Sequence, residues 1–129
     1  MVQRTDPCHR FHCNLCCQET SMLLSEQDIK TIESHGFHQE DFCVEYNGFL
    51  HLKNQMNHCI FLKNLQCSIY SFRPLGCQYY PLIYDADNKM VILDRYCPYR
   101  NYFNNNKKQK TLVETLVETI LQERHQRLK

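Results

Sequence analysis

Eight cysteines of this chain fall at spacings that suit a metal. Four crowd into Cys8-x4-Cys13-x2-Cys16-Cys17, and Cys59, Cys67, Cys77 and Cys97 follow singly. Four thiolates complete the tetrahedral shell of zinc, or cap the four irons of a 4Fe-4S cluster. Two intervening residues let the backbone wrap one ion, which makes Cys13-x2-Cys16 a chelating unit. The side chains of Cys16 and Cys17 tend to point apart, so either they serve different centres or one ligates while the other packs. The eight thiols build two four-thiolate sites, or one site with structural thiols left over.

The rest of the composition describes an ordinary soluble domain. A chain of 129 residues with 43% hydrophobic residues and three glycines fits one folding unit, residues 1–129. Its net charge of +1 gives no global attraction for a phosphate backbone, and only Lys107, Lys108 and Lys110 gather basic charge, so nucleic acid is not an expected partner. No run approaches the roughly 20 apolar residues of a membrane span. Met1 to Thr20 is broken by Arg4, Asp6, Arg10 and Glu19 and lacks the apolar core of a secretory signal. The expected location is the cytoplasm, where thiols stay reduced and a cysteine framework holds metal or does redox chemistry rather than forming disulfides. The odd total of nine cysteines agrees.

The elements that must position these thiols are short. Ser25-Glu26-Gln27-Asp28 reads as a helix start running to about His35, with Ile29 and Ile32 inward and Gly36 as the left-handed stop. Residues 42–53 alternate around Asn47-Gly48, a hairpin signal. Cys59-Ile60-Phe61-Leu62 and Cys67-Ser68-Ile69-Tyr70 flank a tight turn at Lys63-Asn64-Leu65-Gln66, which brings two thiols close. Pro74 suits the first position of a helical turn carrying Cys77. Leu82 to Tyr84 and Met90 to Leu93 predict a second hairpin through Asp85-Ala86-Asp87-Asn88. A polar linker over 104–110 precedes a helix spanning about 110–128. Thr111-x-x-Glu114 is its capping box, and Leu112, Val113, Leu116, Val117, Ile120 and Leu121 are its buried stripe, packed on its own domain. The fold class is α+β: a small, loop-rich, metal-tied domain of short antiparallel hairpins with a C-terminal amphipathic helix.

Several residues admit a structural and a chemical reading side by side. Cys43, between Phe42 and Val44, reads as a small core residue. His9, His12 and His58 sit beside Cys8, Cys13 and Cys59 and can replace a thiolate, although most histidines are not ligands. The aromatic run from Phe61 to Phe103 offers rings for stacking on bases, but it also fills a small core and shields a cluster from water, and the second reading is preferred. Arg73 either hydrogen-bonds a thiolate or carboxylate or is kept by the turn at Pro74. Asp85, Asp87 and Asp94 read as turn chemistry rather than catalysis.

Taken together, Cys13-x2-Cys16-Cys17, Cys59-Ile60-Phe61-Leu62, Cys67-Ser68-Ile69-Tyr70, Arg73-Pro74, Cys77, Pro81 and Cys97 resemble the YkgJ-type cysteine-cluster family, described as zinc- or iron-chelating and often as iron-sulfur-cluster-containing. The resemblance covers about residues 8–98. Asn14 stands where members commonly have glycine, and asparagine is the next-best residue for a left-handed turn. The gap from Cys8 to Cys13 is longer than in the family, and Cys43 has no clear counterpart there.

The resemblance implies a metal-binding protein, holding zinc or an iron-sulfur cluster for a structural, delivery or partner-binding purpose. The alternative is an iron-sulfur redox protein or a small component of an oxidoreductase. A third reading is a thiol enzyme using an unligated member such as Cys17, which needs a depressed thiol pKa. The residues themselves name no reaction and no substrate.

Overall fold

The computed structural model describes residue 17, residues 20–98 and residues 106–129. Cys8, Cys13 and Cys16, with His9, His12 and Asn14, lie outside the described residues, as do Tyr99, Tyr102 and Phe103. The fold is α+β, with short antiparallel two-stranded hairpins and a long C-terminal helix.

Helix α1 (Glu26–Glu33) begins as the sequence predicts. Ser25 Oγ accepts from the Asp28 amide at 3.1 Å, and Asp28 Oδ2 accepts from the Ser25 amide at 3.0 Å, a reciprocal capping box. Its inward residues Ile29 and Ile32 are buried, and Gly36 has the positive φ of a left-handed stop. A four-residue helical turn α2 (Gln39–Phe42) drives Phe42 into the same core.

Three hairpins follow, each with a two-residue turn whose central residues both have positive φ, the mark of a type I′ turn. Strands β1 (Cys43–Tyr46) and β2 (Phe49–Leu52) meet through Asn47-Gly48. Strands β3 (Asn54–Gln55) and β4 (His58–Cys59) meet through Met56-Asn57. Strands β5 (Leu62–Lys63) and β6 (Gln66–Cys67) meet through Asn64-Leu65. The middle hairpin is not foreseen, because Met56-Asn57 carries no glycine. Met56 and Leu65 are 85% and 69% exposed in a backbone region that costs a side chain about 1–2 kcal/mol, so hairpin geometry rather than burial fixes them. Segment 22–24 extends the first sheet, the Leu24 amide donating to Leu50 O and the Leu52 amide to Met22 O.

After a 3₁₀ turn at Tyr70–Phe72 comes helix α3 (Leu75–Tyr79), with Pro74 as its N-cap rather than its first residue. Strands β7 (Leu82–Asp85) and β8 (Met90–Leu93) form the expected last hairpin, its turn tied by Asp85 accepting from the amides of Asp87 and Asn88. Helix α4 (Lys107–Arg127) starts earlier than the capping-box reading places it. Asn106 is the cap, its side chain accepting from the Gln109 amide at 2.9 Å, while the Thr111 hydroxyl donates to Lys107 O inside the first turn. Within the expected stripe only Val113 and Ile120 are fully buried, and Leu112 and Leu121 are exposed. The helix packs on a small sheet rather than into a bundle, so a narrower stripe suffices.

Two cores result. The first gathers Leu24, Ile29, Ile32, Phe42, Leu50, Leu52, Cys59, Phe61 and Ile69; the second joins Leu82 and Val91 of the last hairpin to Val113 of α4. The far end of α4 returns to the first core. Arg124 Nε donates to Asn47 O at 2.7 Å, and Arg127 binds both Gly48 O and the Glu26 carboxylate. No helix of the described residues is long and apolar enough to cross a membrane.

Candidate metal centre

Five cysteines arrive at the first core, each from a separate stretch of chain. Cys59 ends β4 and is 3% exposed inside that core. Cys67 ends β6, Cys77 is the third residue of α3, and Cys17 lies in a helical turn; all three are half-buried and pack against the cluster that contains Cys59. Cys43 joins them there from the start of β1. Cys97 is buried just beyond β8, with its amide bonded to Asp94 O. Of the described part of the ligand set, Cys17, Cys59, Cys67 and Cys77 are thus on or against the first core, and Cys97 is buried just beyond β8.

The hairpins explain how Cys59 and Cys67 come to match. Counting outward from each turn, the second cross-strand pair is Glu45 with Leu50, Asn54 with Cys59, and Leu62 with Cys67. One step further, the Ile60 amide donates to Lys53 O and the Ser68 amide to Phe61 O. Leu50, Cys59 and Cys67 therefore hold the same place in three successive units, and each contributes to the first core. The tight turn at Asn64-Leu65 is as expected, but it pairs Cys67 with Leu62 rather than with Cys59.

Cys77 is placed by a different device. Helix α3 has one turn and no side-chain cap of its own at Pro74, and its first amide, Leu75 N, donates to Asp28 Oδ1 at 3.0 Å. Gly76 leaves room for the thioether of Met22, which a Cβ there would strike. Arg73 does not reach for a carboxylate: its guanidinium lies 4.1 Å from the centre of the Tyr70 ring and donates to Tyr70 O at 2.8 Å. His58 turns Nδ1 to Cys59 O at 3.0 Å. Phe61 is buried and Phe72 stacks on His35 at 3.7 Å, so these rings fill and flank the core. Asp94 accepts from Tyr80 OH at 2.6 Å and from the Tyr96 amide, which is turn chemistry of the kind expected.

Burial pushes the Cys43 thiol above its ordinary pKa, partly offset by a hydrogen bond with the Gln39 side chain. Burial first, and the Asp28 charge second, raise the Tyr79 hydroxyl.

A feature the motif reading missed is electrostatic. From Tyr46 to Tyr84 there is no aspartate or glutamate, although the chain has 14 acids. Four thiolates around a divalent ion leave a net negative centre, and a carboxylate nearby would destabilise it. The stretch that carries Cys59, Cys67 and Cys77 has none of its own; the buried carboxylate beside it, Asp28 of α1, is bonded to the Leu75 amide. Soft donors on a shared core, in an acid-free segment, fit zinc or iron in type. They are not a complete shell by themselves: among the described residues no three His, Cys, Asp or Glu side chains are grouped to hold an ion. A mostly apolar cavity of about 850 Å³ lies between α4, β7 and segment 20–23 and borders Gly76 and Tyr96.

Fold and site define a small α+β cysteine-cluster domain. The chain belongs to the CxxCxxCC family, described as a "putative zinc- or iron-chelating domain", whose model matches residues 7–98. No curated protein and no solved structure matches the chain.

Proposed function

We propose that this protein binds zinc or an iron-sulfur cluster through Cys8, Cys13, Cys16, Cys17, Cys59, Cys67, Cys77 and Cys97, as a non-catalytic carrier or structural and partner-binding centre. The observation that carries this reading is that Cys17, Cys59, Cys67 and Cys77, far apart in sequence, pack in or against one core. Family membership and the absence of carboxylates between Tyr46 and Tyr84 support it. The eight thiols build two four-thiolate sites, or one site with structural thiols left over, and Cys43 stays outside them. The whole chain, residues 1–129, acts as one domain, a reading supported by the bonds from Arg124 and Arg127 of α4 back to Asn47, Gly48 and Glu26. Thiolate ligands require a reducing compartment, so the reading assigns the protein to the cytoplasm.

Elemental and acid-labile sulfide analysis of protein purified without oxygen tests it. A brown protein with iron and sulfide is the iron-sulfur form, and reversible bleaching by dithionite is a requirement of the redox reading that a cluster inert to it would fail. A colourless protein with stoichiometric zinc is the zinc form, since a filled d-shell neither absorbs nor changes oxidation state. Protein that retains neither metal, and takes up neither on reconstitution, overturns the proposal.

A further inference from the structure

Asp28 is only 4% exposed, and a carboxylate is kept inside a protein only when its oxygens are bonded. One oxygen serves the capping box of α1, accepting from the Ser25 amide at 3.0 Å. The other leaves its own helix and accepts from the Leu75 amide, 47 residues away, at 3.0 Å. The one ion pair among the described residues, Arg127 with Glu26, involves neither oxygen. Two helix N-termini therefore face this carboxylate, where amide dipoles favour negative charge. A capping box needs only the first of these bonds.

Helix α3 has more need of the second. Its five residues are too few to hold a helical geometry unaided. Pro74 supplies neither an amide nor a side-chain cap, so the Asp28 bond anchors its first amide to α1, and Cys77 follows two residues later. We propose that Asp28 is the positioning residue for Cys77, fixing the helix that presents this thiol to the metal. The proposal rests on the metal-binding reading above. It adds a residue that no cysteine motif contains and that reaches the centre only through the backbone of α3.

Three variants separate positioning from plain stability. Asp28→Asn replaces one acceptor oxygen by a donor. Leu75→Pro removes the donated amide from the other side, at a first helical position that tolerates proline and after a residue already extended at ψ 152°. Ser25→Ala breaks the capping box but leaves the Leu75 bond intact. Metal affinity is read by chelator competition on reconstituted protein, Cys77 reactivity by alkylation and mass spectrometry of the loaded form, and folding by circular dichroism and Tm. Asp28→Asn and Leu75→Pro are expected to weaken metal binding about 10- to 100-fold, as loss of outer-shell partners does, and to expose Cys77 to alkylation. Ser25→Ala is expected to lower Tm with affinity and Cys77 protection unchanged. Wild-type affinity and protection in Leu75→Pro, or an equal loss of affinity in Ser25→Ala, overturns the positioning role while leaving the metal-binding reading intact. A wild-type chain that takes up neither metal overturns both.

Discussion

Cys59 and Cys43 belong to the same core, and replacing each by alanine measures what the metal contributes. Cys59 is 3% exposed and Cys43 half-buried, so on packing alone the first substitution should cost slightly more than the second. Deleting one sulfur from a close-packed site resembles a small large-to-small change, about 0.5–1.5 kcal/mol. A ligand is another matter. Structural zinc contributes on the order of 10 kcal/mol to the folding of small domains, and a shell short of one thiolate loses several of these. That exceeds the packing cost severalfold and is a large part of the roughly 5–15 kcal/mol that holds an ordinary domain. Urea unfolding followed by far-UV circular dichroism, in reducing buffer without oxygen, should show Cys59→Ala destabilised by more than about 3 kcal/mol in the metal-loaded state and Cys43→Ala by about 1 kcal/mol. After metal removal the excess cost of Cys59→Ala over Cys43→Ala should disappear. If Cys59→Ala and Cys43→Ala cost the same with metal present, Cys59 is a small hydrophobe and the ligand assignment is wrong for it.

Other perturbations test the frame around the centre. Gly48 has φ +80°, and a Cβ there would lie 2.8 Å from Leu128 Cγ; Gly48→Ala should lower stability by about 1–2 kcal/mol, mostly left-handed strain, and should loosen Arg124 from Asn47, read as a lower Tm and weaker amide protection at the end of α4. Gly36→Ala, with φ +95° and open space around the Cβ, should show the strain without the loosening. Ile120→Ala empties a buried site on α4 and should cost about 2–4 kcal/mol by urea denaturation, whereas the same change at exposed Leu121 should cost well under half of that. Asp85 is held below the usual carboxylate range chiefly by the Asn88 side chain. Its stabilisation of the turn is therefore present above that range and lost as pH falls through the depressed value; Asn88→Ala should move the Asp85 titration, followed by carboxyl NMR, back up towards normal.

Local chemistry that the sequence states outright is what could be read from it. Ser25 to Asp28 mark a helix start, Asn47-Gly48 a hairpin turn, and Gly36 a helix stop; each is found where expected. The middle hairpin was hidden because Met56-Asn57 lacks the glycine that signals its turn, and only the repeat of pairing across Asn54 and Cys59 reveals it. At α4, the pattern Thr111-x-x-Glu114 imitated a cap inside a helix whose true cap is Asn106, since a threonine hydroxyl serves equally well to bond a carbonyl four residues back. Asp28's second bond was beyond any local signal, because it joins residues 47 apart. Of the eight expected ligands, spacing alone could not say that Cys17, Cys59, Cys67 and Cys77 pack on one core; that follows from the pairing of the hairpins and the placement of α3.

Three hairpins of the same design raise the question of what makes such short units hold. The strands β3 to β6 have two residues each, and a lone hairpin of that size is not stable in water. Left-handed Met56 and Leu65 subtract further, with their side chains in solvent. The first unit is secured without help: it has four-residue strands, a glycine in its turn, Leu50 in the core, segment 22–24 on its edge and α4 against its tip. The second and third have neither glycine nor long strands, and where the first has Leu50 they have Cys59 and Cys67. Cysteine buries less apolar area than leucine, so on hydrophobic grounds the two weaker units have been given the weaker anchor. A thiolate bound to metal reverses that order, since its bond energy far exceeds the difference in burial. The distribution of glycine, strand length and cysteine among the three hairpins is thus the one expected if metal does for the second and third what leucine and the C-terminal helix do for the first.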